Sequence, residues 1–495
     1  MVAAVVVFVI ILVVALLAGA HWYVWRRLVR DTTARGGSAR RLGTAAAWVL
    51  PLLSFAALVS GRAGAPFWLE RILAWPGYLW LAVLLYLVLA LLVGEVARPL
   101  LRRALDRRAA PADHPNETAA AGATSVPAGV AVPPRAGAAG QGPRPAGAAA
   151  AVAVDSPPAA GRSAGPEGPQ SAAGDVPGAA ASDSPVVAGV ANRGADEPGA
   201  AGPRGEEPRP AGDALPAPGA VSRRVFVSRI VGGAAAAAAL GTVGYGTYGV
   251  LRGPRVKRVT VPLAKLPRAA HGFRVAVVSD IHLGPILGRA HTQRIVDSIN
   301  ATQPDLVAVV GDLVDGSVAD LGSAAEPLAQ LRARHGSFFV TGNHEYFSGA
   351  DEWVDHVREL GLRPLRNERV EIAGGFDLAG VDDVAGEDEG QGPDFVRALG
   401  DRDRSRAAVL LAHQPVVIHD AVEHGVDLQL SGHTHGGQLW PGNFLAELAN
   451  PTVAGLERYG DTQLYVSRGA GAWGPPVRVG APSDITVVQL ASRQA

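Results

Sequence analysis

The stretch FRVAVVSDIH at residues 273–282 decides the fold. It joins a continuous apolar run, 273–279, to an acidic residue and a histidine two positions apart, Asp280 and His282. A short apolar run of this kind is typical of a β-strand covered on both faces, as in the parallel sheets of α/β proteins. Ligand sites in such sheets form at the carboxyl ends of the strands, so Asp280 and His282 are candidate site residues.

The same pattern recurs downstream, where four more polar clusters each follow an apolar run. These clusters are 311–315 (GDLVD), 342–345 (GNHE), His413 and 432–437 (GHTHGG). Helical patterns lie between the strands, which predicts one two-sheet α/β sandwich over 259–492. We expect its second sheet to contain 407–412, 428–430 and 464–467 and to finish with 485–490. Five strand ends then converge on one place.

The convergent side chains predict a metal site. They offer carboxylates, an amide and imidazoles but no sulfur, a set that suits Mn²⁺, Fe²⁺ or Zn²⁺ better than Ca²⁺. Their number exceeds one tetrahedral site, so we expect two ions, which at a separation of about 3.5–4 Å need a bridging carboxylate and hold a nucleophilic hydroxide. The glycines before Asp312, Asn343 and His433 are expected to allow tight turns that aim these side chains inward.

These five clusters, in this order, resemble the motif set of the calcineurin-like metallophosphoesterases. Three longer strings are similar to the membrane-anchored branch of that family related to UDP-2,3-diacylglucosamine hydrolases. The strings are TGNHEYFSG at 341–349, DLQLSGHTHGGQ at 427–438 and YVSRGAGAWGPPVR at 465–478. The resemblance implies metal-dependent hydrolysis of a phosphomonoester, phosphodiester or diphosphate.

The resemblance also implies a role for each matching residue. One ion would be held by Asp280, His282, Asp312 and His435, and the other by Asp312, Asn343, His413 and His433, with Asp312 bridging. His344 would not bind metal but would act as general acid or as a donor to the phosphoryl oxygens. Asp315 and Glu345 are expected to be hydrogen-bond partners of histidine ligands.

Composition excludes several other chemistries. The chain has no cysteine, which rules out disulfides, thiolate zinc sites, iron–sulfur clusters and a cysteine nucleophile. Lys plus Arg and Asp plus Glu both total 45, so no net basic field exists to attract nucleic acid, and none is a predicted partner.

Residues 1–108 have the pattern of a membrane region. The apolar runs 1–25, 42–61 and 72–94 each reach the ~20 residues that a transmembrane helix requires. Arginines concentrate after the first and third runs, so the positive-inside rule places those flanks in the cytoplasm and the N-terminus outside. The sequence therefore predicts a multi-pass cell-membrane protein that contacts membrane lipids.

The next two segments connect this region to the catalytic domain. Residues 109–221 are dominated by Ala, Gly and Pro, which predicts a disordered cytoplasmic linker. In 222–258, Arg223 and Arg224 precede a mildly apolar run, 230–251. The pattern resembles a twin-arginine export signal retained as a fourth membrane segment, and an ordinary fourth span is the alternative. In either case, three upstream spans place the catalytic domain outside the cytoplasm.

Placement near the bilayer suggests a lipid-linked phosphorylated substrate. About 20 residues separate the anchor near Leu251 from the strand at Phe273, enough to span at most ~70 Å. Large apolar residues at 439–445 and at Trp473 are candidates for a path that admits acyl chains, or they pack beneath their own loop. The alternative to an enzyme is a non-catalytic metal-binding membrane scaffold or signalling protein.

Overall fold

The computed structural model describes residues 2–109 and 222–493. The predicted disordered linker, 109–221, lies outside the described residues except for Ala109, which ends a helix.

Four long helices in the described residues are apolar enough to cross a membrane. They are α1 (Val2–Val24), α2 (Ser38–Val59), α3 (Phe67–Ala109) and α4 (Arg223–Leu251). A short π-helical turn, Trp25–Arg30, extends α1. With 43 residues, α3 is about twice as long as a bilayer crossing requires. Its first residue, Phe67, packs against the core of the soluble domain.

Twelve strands in the described residues form two six-stranded sheets. They are β1 (Arg255–Leu263), β2 (Arg274–Val278), β3 (Leu306–Val310), β4 (Ser337–Val340), β5 (Arg363–Pro364), β6 (Glu368–Ile372), β7 (Phe376–Gly380), β8 (Ala407–Leu411), β9 (Leu428–Ser431), β10 (Gly455–Tyr459), β11 (Thr462–Val466) and β12 (Asp484–Ser492). The first sheet has the order β1-β12-β2-β3-β4-β5 and the second β10-β11-β9-β8-β7-β6.

The two sheets pack face to face and helices cover their outer faces. Buried residues of both sheets, among them Val277, Val310, Val409 and Leu430, form one apolar core. The soluble domain contains α5 (Arg289–Ala301), α6 (Val318–Ala325), α7 (Asn343–Ser348), α8 (Ala350–Glu359), α9 (Phe395–Leu399), α10 (Ile418–Glu423) and α11 (Gly442–Ala449). Helices α5, α6 and α8 cover the first sheet, and α9 and α10 cover the second. The predicted α/β sandwich with preceding apolar helices is confirmed.

The last strand was expected in the second sheet, and that prediction is wrong. Strand β12 lies in the first sheet, parallel to β1 and antiparallel to β2. An apolar run indicates that a strand is buried but carries no information on its neighbours, because many partners bury it equally well.

The expected tether between anchor and domain is also wrong. Strand β1 begins at Arg255, so only three residues separate it from the end of α4 at Leu251. Arg255, Lys257 and Arg258 lie in this strand, and Lys257 pairs with the buried Asp484. These charged residues interrupt the apolar run by which a strand is predicted, so β1 was missed. Charged residues are typical of an edge strand, and β1 lies at the edge of its sheet.

Candidate metal centre

The structure brings all of the predicted ligands together at the carboxyl ends of five strands. They follow β2 (Asp280, His282), β3 (Asp312), β4 (Asn343), β8 (His413) and β9 (His433, His435). Two clusters result, one of Asp280, His282 and His435 and one of Asp312, His413 and His433. Within each cluster the ligand atoms lie within 4.8 Å of one another.

The first cluster places two imidazoles face to face. Nε2 of His282 lies 2.9 Å from Nε2 of His435, and the latter lies 3.4 Å from Oδ1 of Asp280. Nδ1 of His282 is engaged by Asp315, so its Nε2 is the nitrogen available to a cation.

The second cluster contains the remaining ligands. Oδ2 of Asp312 lies 3.1 Å from Nε2 of His413, and Nδ1 of His433 lies 3.0 Å from Oδ1 of Asn343. The same Asp312 oxygen lies 3.7 Å from Nε2 of His282 in the first cluster. Asp312 therefore stands between the two clusters, where a bridging carboxylate belongs.

One orphaned polar atom shows that the residues fit a cation. Oδ2 of Asp280 is buried and has no hydrogen-bond partner. Leaving such an atom unpaired costs about 1–3 kcal/mol, more for a charged group. Divalent cations with oxygen and nitrogen ligands would satisfy this atom, and the donor set suits Mn²⁺, Fe²⁺ or Zn²⁺.

The backbone is strained at the ligands themselves. Eight non-glycine residues of the described chain have positive φ angles, and five of them are predicted ligands: Asp280, His282, Asp312, His433 and His435. Such conformations cost about 1–3 kcal/mol each and persist where the surrounding fold enforces them, which is common at functional sites.

The glycines in the motifs serve different purposes. Gly311 has a φ of +69°, as a tight turn requires. Gly342 and Gly432 do not have positive φ, so the backbone conformation does not require glycine at these two positions. A Cβ at Gly342 would collide with the Asp312 carboxylate, and one at Gly432 with that of Asp280. These two glycines leave room for the carboxylates.

Asp315 links two histidines of the site. Its Oδ1 accepts hydrogen bonds from Nδ1 of His282 at 2.9 Å and from Nδ1 of His344 at 2.7 Å. Burial alone would raise the pKa of Asp315, but the two histidines outweigh it and lower the pKa to about 2. An ionised Asp315 therefore orients both rings.

Glu345 has a different role from the one predicted. Its carboxylate accepts backbone N–H groups of Asp312, Leu313 and Gly342, at 2.9, 2.8 and 2.6 Å. Burial, followed by the charge of Asp312, raises the pKa of Glu345 to about 7. Glu345 holds together the loops after β3 and β4 instead of contacting a histidine ligand.

Arg478 is a site residue that the sequence analysis missed. Its buried guanidinium donates to the carbonyl groups of Gly471, Arg468 and His435, and it also lies 2.8 Å from Nδ1 of His435. Burial lowers the pKa of Arg478 to about 10. Arg478 ends the quoted string 465–478, but no spacing rule connects an arginine in a Gly/Pro-rich segment with a distant histidine.

The site opens into a cavity of about 690 Å³ that is shared with the N-terminal apolar helices. His282, Asp315 and His344 line one wall. Residues from α2, α3 and the turn between them, including Leu58, Arg62, Glu70 and Tyr78, line the other. Hydrogen bonds from Ser54 to the Gly77 carbonyl and from Tyr78 to the Ala57 carbonyl join the two helices here.

The apolar residues proposed to admit acyl chains divide into two groups. Trp473 lines the cavity, and its ring lies 5.8 Å from that of His344. Trp440 and Phe444 are about half exposed and do not line it. The carbonyl of Trp440 accepts a hydrogen bond from Tyr86 of α3 at 3.0 Å.

Comparison with known proteins identifies the family. A two-sheet α/β sandwich with clusters of candidate metal-ligand side chains at its strand ends is the fold of the metallophosphoesterases. Residues 273–437 match the calcineurin-like phosphoesterase family. A transmembrane protein with a metallophosphoesterase domain from Danio rerio is 40% identical over 259 residues, which are 50% of this chain and 59% of that protein.

Two bacterial relatives are covered more fully. An uncharacterized metallophosphoesterase from Helicobacter pylori is 40% identical over 256 residues (51% of this chain, 68% of the relative). Another from Aquifex aeolicus is 35% identical over 240 residues (48% and 91%). A crystal structure of a dimetal phosphatase from Danio rerio aligns over 45% of this chain and 93% of that one, at 12% identity and a TM-score of 0.31. The chain belongs to the calcineurin-like metallophosphoesterase family.

Proposed function

We propose that the protein is a membrane-anchored phosphoesterase that uses two divalent transition-metal ions to hydrolyse a phosphomonoester, phosphodiester or diphosphate. The observation that carries the proposal is the position of Asp312 between two clusters of metal-ligand side chains. The finer resemblance to UDP-2,3-diacylglucosamine hydrolases stays a prediction.

The protein's own residues would bind the two ions and orient the substrate. Asp280, His282, Asp312 and His435 would bind one ion, and Asp312, Asn343, His413 and His433 the other. Bound ions of this kind polarise the phosphoryl oxygens and lower the pKa of water. Burial, followed by the charge of Arg478, holds the pKa of His435 well below its usual range, so its ring stays neutral as a ligand must.

His344 is placed to act on the substrate. It lies beside the clusters at the cavity wall, and Asp315 fixes its Nδ1, which leaves Nε2 free to face a bound phosphoryl group. We assign it the role of general acid toward the leaving group or of donor to the phosphoryl oxygens. Such a residue contributes about 10²–10⁴-fold to the rate.

We also propose that the protein crosses the cell membrane four times with its catalytic domain outside the cytoplasm. The basic end of α3 and the start of α4 lie together, where Arg102, Leu105, Arg223 and Arg224 line one small cavity. The soluble domain follows the opposite end of α4. The positive-inside rule puts the basic ends in the cytoplasm, so the domain lies on the other side.

This placement supports our proposal of a lipid-linked substrate. The turn between α2 and α3 lines the catalytic cavity, so the site lies next to the end of a membrane helix. Helix α11 exposes Phe444, Leu445 and Leu448, whose side chains suit contact with membrane lipids.

Hydrolysis of bis-p-nitrophenyl phosphate by the purified full-length protein with added Mn²⁺ tests the activity. We expect turnover that requires the metal and is abolished in Asp312→Asn. Metal binding without turnover of this diester or of matched monoesters and diphosphates would instead favour the non-catalytic scaffold.

A further inference from the structure

We propose that an apolar groove among α1, α2 and α3 binds the hydrocarbon tail of the substrate while its phosphate lies at the metal centre. The inference rests on the proposed function and specifies its substrate as an amphiphilic phosphoester with one long apolar chain.

The groove is a wide cleft with apolar walls. It has a volume of about 570 Å³. Its walls are mostly large apolar side chains, among them Leu17, Trp22, Trp48, Phe55 and Leu81. Such a surface gains free energy by covering hydrocarbon and offers little to a phosphate or a sugar.

The groove and the catalytic cavity meet at one residue. Leu58 lines both of them. Pro51, Phe55, Leu58 and Arg62 are spaced by four, three and four positions, which puts them on one face of α2 and its continuation. The first three line the groove, and Leu58 and Arg62 line the cavity. One helix face therefore runs from apolar surroundings to the phosphoesterase site.

Polarity changes along this face as it does along an amphiphile. Arg62, Glu70, Asp315 and His344 surround the cavity end, where a phosphorylated head would lie. From Leu58 down to Trp48 the helix rises ~15 Å, at 1.5 Å per residue, through apolar surroundings. A tail that leaves the phosphate at the cavity would enter this groove directly.

The groove is open along its side to the surrounding hydrocarbon. Trp48 and Phe55, on its walls, are 72% and 65% exposed. The tail of a lipid substrate can therefore enter laterally from the hydrocarbon core of the bilayer without exposure to water. A soluble nucleotide would gain nothing from this route, so the chemistry of the groove selects a lipid tail.

Two pairs of neighbouring substitutions test the proposal. Leu58→Trp narrows the junction and Ala47→Trp fills the far part of the groove. Val59→Trp and Ala46→Trp are matched controls, because neither residue lines the groove or the cavity. The measurement is kcat/KM of the full-length protein in micelles for phosphoesters that share one head group and carry a short, medium or long alkyl chain.

We expect wild type and both controls to prefer the longer chains. Leu58→Trp should lower the ratio of long-chain to short-chain kcat/KM at least about tenfold, because the alkyl chain of the substrate can no longer bury its methylene groups in the groove. Ala47→Trp should remove only the gain from medium to long chains. No chain preference in active wild type, or an undiminished preference in both groove variants, would overturn the tail site and leave the phosphoesterase intact. No turnover of any chain length would overturn the proposed function itself.

Discussion

The guanidinium of Arg478 lies 2.8 Å from Nδ1 of His435, the predicted metal ligand furthest along the chain. The backbone N–H of the same arginine donates to the carbonyl of Gly246 in α4 at 3.3 Å. A single residue thus connects the fourth apolar helix to the metal centre. Orientation of His435 depends on this arginine, because the guanidinium holds both the ring and the backbone carbonyl of the histidine.

Replacing Arg478 by Gln should weaken metal binding at the first cluster. The ring of His435 would lose the contact that points its Nε2 toward Asp280 and His282. Loss of such an outer partner typically lowers metal affinity about 10- to 100-fold. Titration of metal-free protein, followed by elemental analysis, should show one tight site retained and one weakened.

Arg334→Gln is the control for that experiment, since its side chain is 79% exposed and remote from the ligands. Equal weakening of both sites in Arg478→Gln, or none, would contradict a specific action on His435.

Replacing His344 by Ala should separate binding from catalysis. His344 is not among the predicted ligands, so metal content should stay at the wild-type value while kcat falls about 100-fold or more. The exposed His419→Ala is the matched control and should change neither quantity. Loss of metal together with activity would show that His344 is itself a ligand.

The sequence predicts which polar clusters meet at this edge of the sheets, because each cluster follows an apolar strand. Asp280, Asp312 and His433 are candidate site residues on that pattern, and their roles as metal ligands stay a prediction. Arg478 and the wall formed by Arg62 and the turn between α2 and α3 could not be predicted. Their contacts join segments far apart in the chain, and no local periodicity encodes them. Strand β12 was assigned to the wrong sheet for the same reason.

A buried histidine outside the metal centre should make stability sensitive to acid. His291 is 1% exposed in α5. Burial, followed by the charge of Arg294, lowers its pKa to about 4. In the unfolded chain the histidine has an ordinary pKa of ~6.5, so below that pH the unfolded state binds a proton that the folded state does not bind. The free energy of unfolding is therefore unaffected by His291 above pH ~6.5 and falls by up to about 3 kcal/mol as the pH approaches the folded-state pKa.

We therefore expect His291→Gln to unfold with a smaller loss of stability on acidification than wild type. Denaturant unfolding of the full-length protein across this pH window measures the difference. The exposed His419→Gln should keep the wild-type slope, and a wild-type slope in His291→Gln would exclude His291 as the source.

The proposed membrane topology can be tested with reporters. A reporter active only outside the cytoplasm should be active when fused to the carboxyl end and silent within 120–210. Replacing Arg223 and Arg224 together by Lys keeps the charge and should strand the catalytic domain inside if the twin-arginine prediction is right. Normal export of this double variant would leave α4 as an ordinary fourth span.

The central claim is that two metal ions share Asp312. It rests on the position of Oδ2 of this residue, which lies 3.1 Å from Nε2 of His413 and 3.7 Å from Nε2 of His282. The most direct test is elemental analysis of purified full-length protein, wild type and Asp312→Asn. We predict close to two transition-metal ions per chain in active wild type and less than one in the variant. One ion or none in wild type that still hydrolyses phosphoesters would contradict the dinuclear site.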